Sequence, residues 1–443
     1  MTFSDRDILK ITFPVLASLL MEQLVGLTDT IYLGHYGDGR TELGAAALAG
    51  VFYLVVFMLG FGFSIGAQVL IARRNGEGRY GAIGPLFMQG CLFLVGLAGV
   101  LFAATKLLAP MLFARLVATA EVREAALAYL DWRVYGFFFS FVAAMFRAFW
   151  VGTTRTRILT INSIVAVAVN VGLNHLLIFG RAGLPEMGIA GAALASVIAE
   201  AVSVLFFVGY TLLRGENRRY GLFRFTGIDR RLLGSILRIS VWVMVQEGAA
   251  FLGWFFFFVC IEHLGPAELA VTNMVRSLSS VVFLFVNAFA STCSSLAGNL
   301  LGAGQTEQVL PLCRRTIRLA FVFVAPLSLA AALFPRTALG IYSDDAAQIA
   351  FAIPSLWVML STFLLCVPAF VWQFAVSGTG DTRATLRIVL AAIAAYVGYT
   401  LVLTFGLRAD VAVCWTTDHL YYLVVLLPSW RYMRRGGWRT RKI

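Results

Sequence analysis

Apolar residues along this chain gather into long unbroken runs, separated by short polar or basic stretches. Twelve runs can be drawn, at 11–33, 43–71, 86–109, 125–151, 158–180, 188–213, 232–262, 268–300, 311–334, 350–377, 384–406 and 410–433. Crossing a hydrocarbon core of ~30 Å takes about 20 helical residues, so each run is of spanning length. Their continuous apolarity predicts helices, because the strands of a membrane barrel would alternate. The pattern also repeats. Gly152-Thr153-Thr154-Arg155-Thr156-Arg157 returns about 226 residues later as Gly378-Thr379-Gly380-Asp381-Thr382-Arg383. At the same offset Val55-Val56-Phe57 returns as Val281-Val282-Phe283, Glu42-Leu43 as Glu268-Leu269, and Phe179-Gly180 as Phe405-Gly406. Gly76 and Gly78 pair with Gly302 and Gly304 in the same way. These features predict an all-α integral membrane protein with twelve transmembrane helices in two six-helix lobes, related by a parallel internal repeat.

The longest basic break, 214–231, reads as a cytoplasmic linker between an N-terminal lobe (1–213) and a C-terminal lobe (232–443) that ends in a basic tail. Six helices is an even number, so both lobes enter the membrane in the same direction and leave a central cleft, as in many carriers. Composition agrees with a membrane bundle. Hydrophobic residues make up 60%, charged residues 13%, and mean hydropathy is +0.84, which excludes an ordinary soluble domain. The net charge of +12 would suit nucleic acid, but its placement argues against that partner. Basic residues collect at alternate helix ends: Arg6 and Lys10; Arg73, Arg74 and Arg79; Arg155 and Arg157; seven arginines from Arg214 to Arg238; Arg314, Arg315 and Arg318; Arg383 and Arg387; and the tail from Arg431 to Lys442. This positive-inside distribution puts both termini in the cytoplasm. The first helix lacks a small-residue cleavage site and reads as its own anchor. The six cysteines are scattered without ligand spacing, which predicts no metal site.

Few ionisable groups fall at membrane depth, where each is costly. Glu22 and Asp29 lie seven residues apart on the first helix, roughly on one face, with Gln23 between them and Pro14 before them. A proline inside the helix removes a backbone donor and favours a bend. Asn170 and Asn174, one turn apart on the fifth helix, present two amides to a common neighbour. Facing Asp29, they would form an oxygen-rich site for a protonated carboxyl, since burial penalises the charged form, or for Na⁺. The alternative is interhelical glue, worth ~1 kcal/mol or less per bond. The second copy carries Tyr396 and Thr400 at these places, so the lobes should be functionally unequal. Gln246-Glu247 on the seventh helix offers a countercharge for a cationic substrate or a second proton site, with Arg276 as the obvious structural partner. Glu200, Arg147, Asp418 and His419 are further intramembrane polar groups. Trp242, Trp254, Phe255 and Trp372 are aromatic candidates for facing planar cations. The chain has no P-loop, HExxH or GxSxG, and so predicts no enzyme, no cofactor and no ATP drive.

In order along the chain, these residues resemble the multidrug and toxic compound extrusion (MATE) family. Pro14, Gln23, Asp29-Thr30 and Gly34-His35 resemble its opening helix, and Gly152 to Arg157 its helix 4–5 loop. Asn170, Asn174, Leu177-Ile178-Phe179-Gly180, Gly188 and Gly191-Ala192-Ala193 follow its fifth and sixth helices. Glu247 is similar to the helix 7 acid of one bacterial branch. The resemblance implies a secondary antiporter of the bacterial inner membrane, exporting organic cations or amphipathic compounds for H⁺ or Na⁺. It also implies Asp29 as the coupling carboxylate, supported by Asn170 and Asn174. Some relatives have Asp where Asn174 stands, and those with a C-lobe cation site have Asp at the place that, counting back from Gly378, Cys366 holds, which tilts the expectation towards H⁺. The expected partners are small organic cations and membrane lipids, with the protein a monomer. A lipid-linked precursor flippase of the wider superfamily is the alternative. It would need a cationic cleft, whereas Glu22, Asp29, Glu200, Glu247 and Asp418 outnumber Arg147 and Arg276.

Overall fold

The apolar runs fold as helices. The computed structural model describes residues 3–37, 40–117, 119–224 and 227–440. Phe225 and Thr226 of the expected linker, and Arg441 and Lys442 of the basic tail, lie outside the described residues. Among those described there is no strand, and eleven helices are long and apolar enough to cross a membrane; a bent helix pair makes twelve. The first half comprises α1 (Asp5–Gly34), α2 (Arg40–Gly76), α3 (Ile83–Leu116), α4 (Ala120–Arg133), α5 (Gly136–Gly152), α6 (Arg157–Ile178) and α7 (Gly188–Leu213). After the short α8 (Glu216–Tyr220) follow α9 (Arg230–Glu262), α10 (Pro266–Gly302), α11 (Val309–Leu333), the short α12 (Pro335–Leu339) and α13 (Ala346–Gly378). The chain ends with α14 (Thr382–Leu401), α15 (Val411–Cys414) and α16 (Thr416–Arg435), a π-helical turn at Val402–Gly406 following α14.

The duplication recurs in the element boundaries. α2 and α10 begin and end at the constant offset, and so do the 3₁₀ turns Tyr80–Ala82 and Thr306–Gln308. Its conserved glycines have a steric reason. A Cβ on Gly152 would sit 3.2 Å from the Gln68 carbonyl oxygen, and one on Gly378 would sit 2.6 Å from that of Ser294. Gln68 and Ser294 are themselves at the repeat offset, so the same close helix approach is built twice. Two residues later the turn is left-handed in both copies, at Thr154 (φ 61°) and Gly380 (φ 87°). Glycine accepts that conformation freely, while a β-branched residue is strained there.

One expected span differs from its description. The run 125–151 is not a single straight helix but α4 and α5, bent by 53° at residues 134–135. Its counterpart in the second copy, α13, runs unbroken from Ala346 to Gly378. At this break the first copy holds a charged pair, Arg133 and Glu200, described below.

The chain divides into two compact units, Ala17–Met244 and Met1–Leu16 together with Val245–Ile443. Helices α1 and α9 each contribute to both. The division falls two residues after Pro14 in α1 and immediately before Val245-Gln246-Glu247 in α9. Within Ala17–Met244, α6 packs on α7, α2 on α4 and α5, and α7 on α4 and α5. Gly62 and Gly66 of α2 lie against the backbone of Met244 and Ser240 of α9, the close packing that small residues permit. Within the other unit α13 is central, packing on α10, α11 and α16, with α14 against α16.

Candidate functional site

In the Ala17–Met244 unit, Asp29 near the end of α1 faces α6 and α7. Its Oδ1 accepts from Asn174 Nδ2 at 2.6 Å and from Asn170 Nδ2 at 3.3 Å, and its Oδ2 accepts from the Ser196 hydroxyl at 3.0 Å. The helical spacing of the two asparagines puts both amides on the face of α6 that meets α1. A directed chain of donors closes the cluster. Asn174 donates to Asn170 Oδ1 at 3.2 Å, Asn170 donates to Ser196 Oγ at 3.1 Å, and Ser196 donates to Asp29. Asn170, Asn174 and Ser196 are buried. Both carboxylate oxygens thus receive donors without water, an arrangement that supports a charge at membrane depth. One acceptor is left over: Asn174 Oδ1 is buried and has no partner among the described residues.

A second charged group stands beside this cluster. Glu200 lies one turn after Ser196 on α7, so the two share a face. Arg133, the last residue of α4, donates to both its oxygens, Nη2 to Oε1 at 2.6 Å and Nη1 to Oε2 at 3.0 Å. The guanidinium lies 3.8 Å from the ring centroid of Tyr53, which stacks on Phe137 at 4.8 Å and donates to Ser140 Oγ at 3.1 Å. The break between α4 and α5 makes room for this pair. A Cβ on Gly136 would press on Arg133 Nη1 and would lie 2.6 Å from Glu200 Oε2.

Ser196 and Arg133 were not identified as site residues from the sequence. Ser196 had one available signal, its i, i+4 spacing to an intramembrane acid. Arg133 is a base within an apolar run, a setting that itself calls for a carboxylate partner. Glu22 takes no part in the Asp29 cluster despite the shared-face spacing. It is largely exposed and pairs with Arg147 at 2.8 Å. Gln23 is exposed and makes no side-chain hydrogen bond among the described residues. Pro14 lies inside the continuous helix α1.

In the other unit, buried Gln246 donates to Glu247 Oε1 at 3.2 Å, and its own Oε1 is without a partner. The expected salt bridge from Arg276 to Glu247 does not form. Arg276 makes no ion pair among the described residues, and its guanidinium instead lies 5.6 Å from the ring centroids of Trp254 and Phe258. Trp254 and Phe255 are exposed, whereas Trp372 belongs to the buried core, not to a binding surface. Tyr396 and Thr400 do not reproduce the asparagine pair. Thr400 turns back to its own helix, donating to the Tyr396 carbonyl at 2.8 Å. Cys366 is likewise core, and His419 Nε2 lies 2.9 Å from the Ser361 hydroxyl. Among the described residues no three His, Cys, Asp or Glu side chains converge as a metal site.

The MatE family model matches residues 14–176 and again 247–416, which is the internal repeat seen from outside. The "Probable multidrug resistance protein NorM" of Rhizobium meliloti (strain 1021) is 27% identical over 355 residues, 79% of this chain and 75% of that protein. The protein of the same description from Thermotoga maritima is 26% identical over 393 residues, 88% of this chain and 83% of its own. Among solved structures, the outward-facing conformation of a multidrug resistance MATE family transporter of the MOP superfamily shares the fold. Its TM-score is 0.88 at 17% identity, over 99% of this chain and 97% of that one. With one family model fitting both halves of a helical protein rich in membrane-spanning helices, the chain belongs to the multidrug and toxic compound extrusion (MATE) family of membrane transporters.

Proposed function

We propose that this transporter is a secondary antiporter of the bacterial inner membrane, exporting cationic or amphipathic organic compounds in exchange for protons by alternating access. Asp29 carries the proton, with Asn170, Asn174 and Ser196 as its immediate partners. The observation that carries this reading is the hydrogen-bonded enclosure of one carboxylate by three donors from two helices. Proton uptake turns an oxygen that accepted a bond into a donor. Ser196 or an asparagine must then reverse its role, and the grip of α6 and α7 on the end of α1 changes. Pro14, earlier in the same helix, lowers the cost of a bend in α1.

Cationic cargo follows from the balance of intramembrane charge. Glu22 is neutralised by Arg147 and Glu200 by Arg133. That leaves Asp29, Glu247 and Asp418 against Arg276, an acidic balance that suits cations and disfavours a pyrophosphate headgroup. The NorM relatives are named for multidrug resistance, which agrees with such cargo. One observation favours a second reading, Na⁺ coupling at the same place: the unpartnered oxygen of Asn174 beside the carboxylate. The six-plus-six construction at 1–213 and 232–443 belongs to this proposal as the basis for alternation.

The test uses purified protein in liposomes with a pH or Na⁺ gradient imposed separately and a cationic dye as cargo. Dye movement driven by the pH gradient alone, and lost in Asp29→Asn at normal insertion, is the expected result. Movement driven only by Na⁺ would replace H⁺ by the second reading. Normal proton-driven transport by Asp29→Asn would remove Asp29 from the mechanism.

A further inference from the structure

The ion pair Arg133–Glu200 does not hold α7 in place only. We propose that it is an electrostatic counterweight to Asp29, a positioning pair that sets the pH at which the transporter takes up its coupling proton. The inference rests on the reading of Asp29 as the proton carrier and names the groups that regulate it.

Three observations carry it. The pair reaches Asp29 through one element, because Ser196, which donates to Asp29, and Glu200, which receives Arg133, are one turn apart on α7. Arg133 and Glu200 both lie within electrostatic reach of Asp29. Finally, the pair and the carboxylate occur together and are lost together. At the repeat offset the second copy has Phe255 for Asp29, Met359 for Arg133 and Leu426 for Glu200, and the corresponding helix α13 is unbroken. A pair serving only to pack six helices would have been equally useful in both copies. Buried ion pairs are in any case weak stabilisers compared with apolar residues of similar volume.

The remaining titratable and charged groups around Asp29 are few. α4 adds Tyr129, and α2 adds Tyr53, which stacks on Arg133. α6 presents the two neutral asparagines, with His175 turned to Tyr32 at 6.2 Å between ring centroids. On α1 itself Glu22 is held by Arg147 of α5. Arg133 and Glu200 are therefore opposed charges beside Asp29 that the cluster itself does not consume. While they are paired their fields largely cancel. Uncovering either one imposes a full charge on Asp29 in a medium that screens it poorly.

Glu200→Gln exposes the guanidinium, which opposes protonation of Asp29. Its pH midpoint for dye efflux should move to lower pH by about one unit. Arg133→Gln exposes the carboxylate and should move the midpoint the other way. The double variant, which carries neither charge, should return close to the parent value. Removing one partner of a buried pair is destabilising, so insertion and thermal midpoint are measured alongside. If one single variant fails to insert, the other and the double variant still decide. Single variants that leave the midpoint in place or move it in the same direction, or a double variant that keeps the shift, would overturn the proposal. Asp29→Asn in the same assay separates the two levels. If it transports normally, the Asp29 reading itself fails; if it is inert while Glu200→Gln keeps the parent midpoint, only the counterweight fails.

Discussion

Among the described residues Ser196 supplies the only donor to Asp29 Oδ2, so it isolates one bond of the cluster. A hydrogen bond to a charged group is worth about 1.5–3 kcal/mol, and every 1.4 kcal/mol is about tenfold in proton affinity. Since the bond favours the ionised carboxylate, Ser196→Ala should raise the pH midpoint of efflux by about one unit. Ser196→Thr, which keeps the hydroxyl, should leave it unchanged. A pH profile in proteoliposomes checks both. Thr154 is a residue-scale prediction of another kind, because it holds a left-handed turn that the second copy gives to Gly380. The αL strain costs an L-residue about 1–2 kcal/mol, so Thr154→Gly should raise the thermal midpoint in detergent with transport intact. At this scale the sequence was partly legible. The i, i+4 asparagines announced a shared neighbour because helical spacing is local. Ser196 and Arg133 were missed because their partners are 167 and 67 residues away, and spacing along one helix carries no information about which helix packs against it.

Elements are where the sequence was clearest, since a span is defined by the length of its own apolar run. Runs such as 188–213 and 268–300 correspond to α7 and α10 with little adjustment. The exception at residues 134–135 was hidden for a physical reason. Gly136 in an apolar run reads as a tolerated small residue, and only the bulk of the Arg133–Glu200 pair, brought in by a different helix, makes it a necessity. α1 raises a related question, because Pro14 lies within a helix that stays continuous. An interior proline costs a helix about 3 kcal/mol relative to alanine, and that cost is tolerable where the helix has to change shape. Pro14→Ala should therefore raise the thermal midpoint and slow dye efflux about tenfold or more. An equally active Pro14→Ala would show that α1 acts as a rigid rod.

For the whole molecule, the number of crossings and the side on which the chain ends are one question. Among the described residues eleven helices qualify as spans by themselves, and the twelfth crossing depends on whether the bent pair α4–α5 traverses the membrane or dips in and returns. The charges favour traversal. The turn after α5 carries Arg155 and Arg157, and the positive-inside rule places it on the face of the other basic turns. With twelve crossings the α13–α14 turn, which holds Arg383, and the tail beyond Arg431 share the face of the N-terminal Arg6 and Lys10. With eleven, every basic turn after α5 would lie outside and the bias would reverse halfway along the chain. A fluorescent protein fused after residue 443 should thus fold and fluoresce in the cytoplasm, and an alkaline phosphatase fused at the same place should be silent. A reporter set in the α6–α7 loop, at Gly183, should show the opposite pair of signals. Phosphatase activity at the C-terminus would make α4–α5 a re-entrant hairpin. Asp29 would keep its place in α1 and Glu200 its place in α7, but Arg133 would then lie at the tip of a re-entrant hairpin instead of in a span. Where such a hairpin lines a water-filled cavity a lone charge is screened, and the opposed pH shifts expected of the two single variants would shrink together.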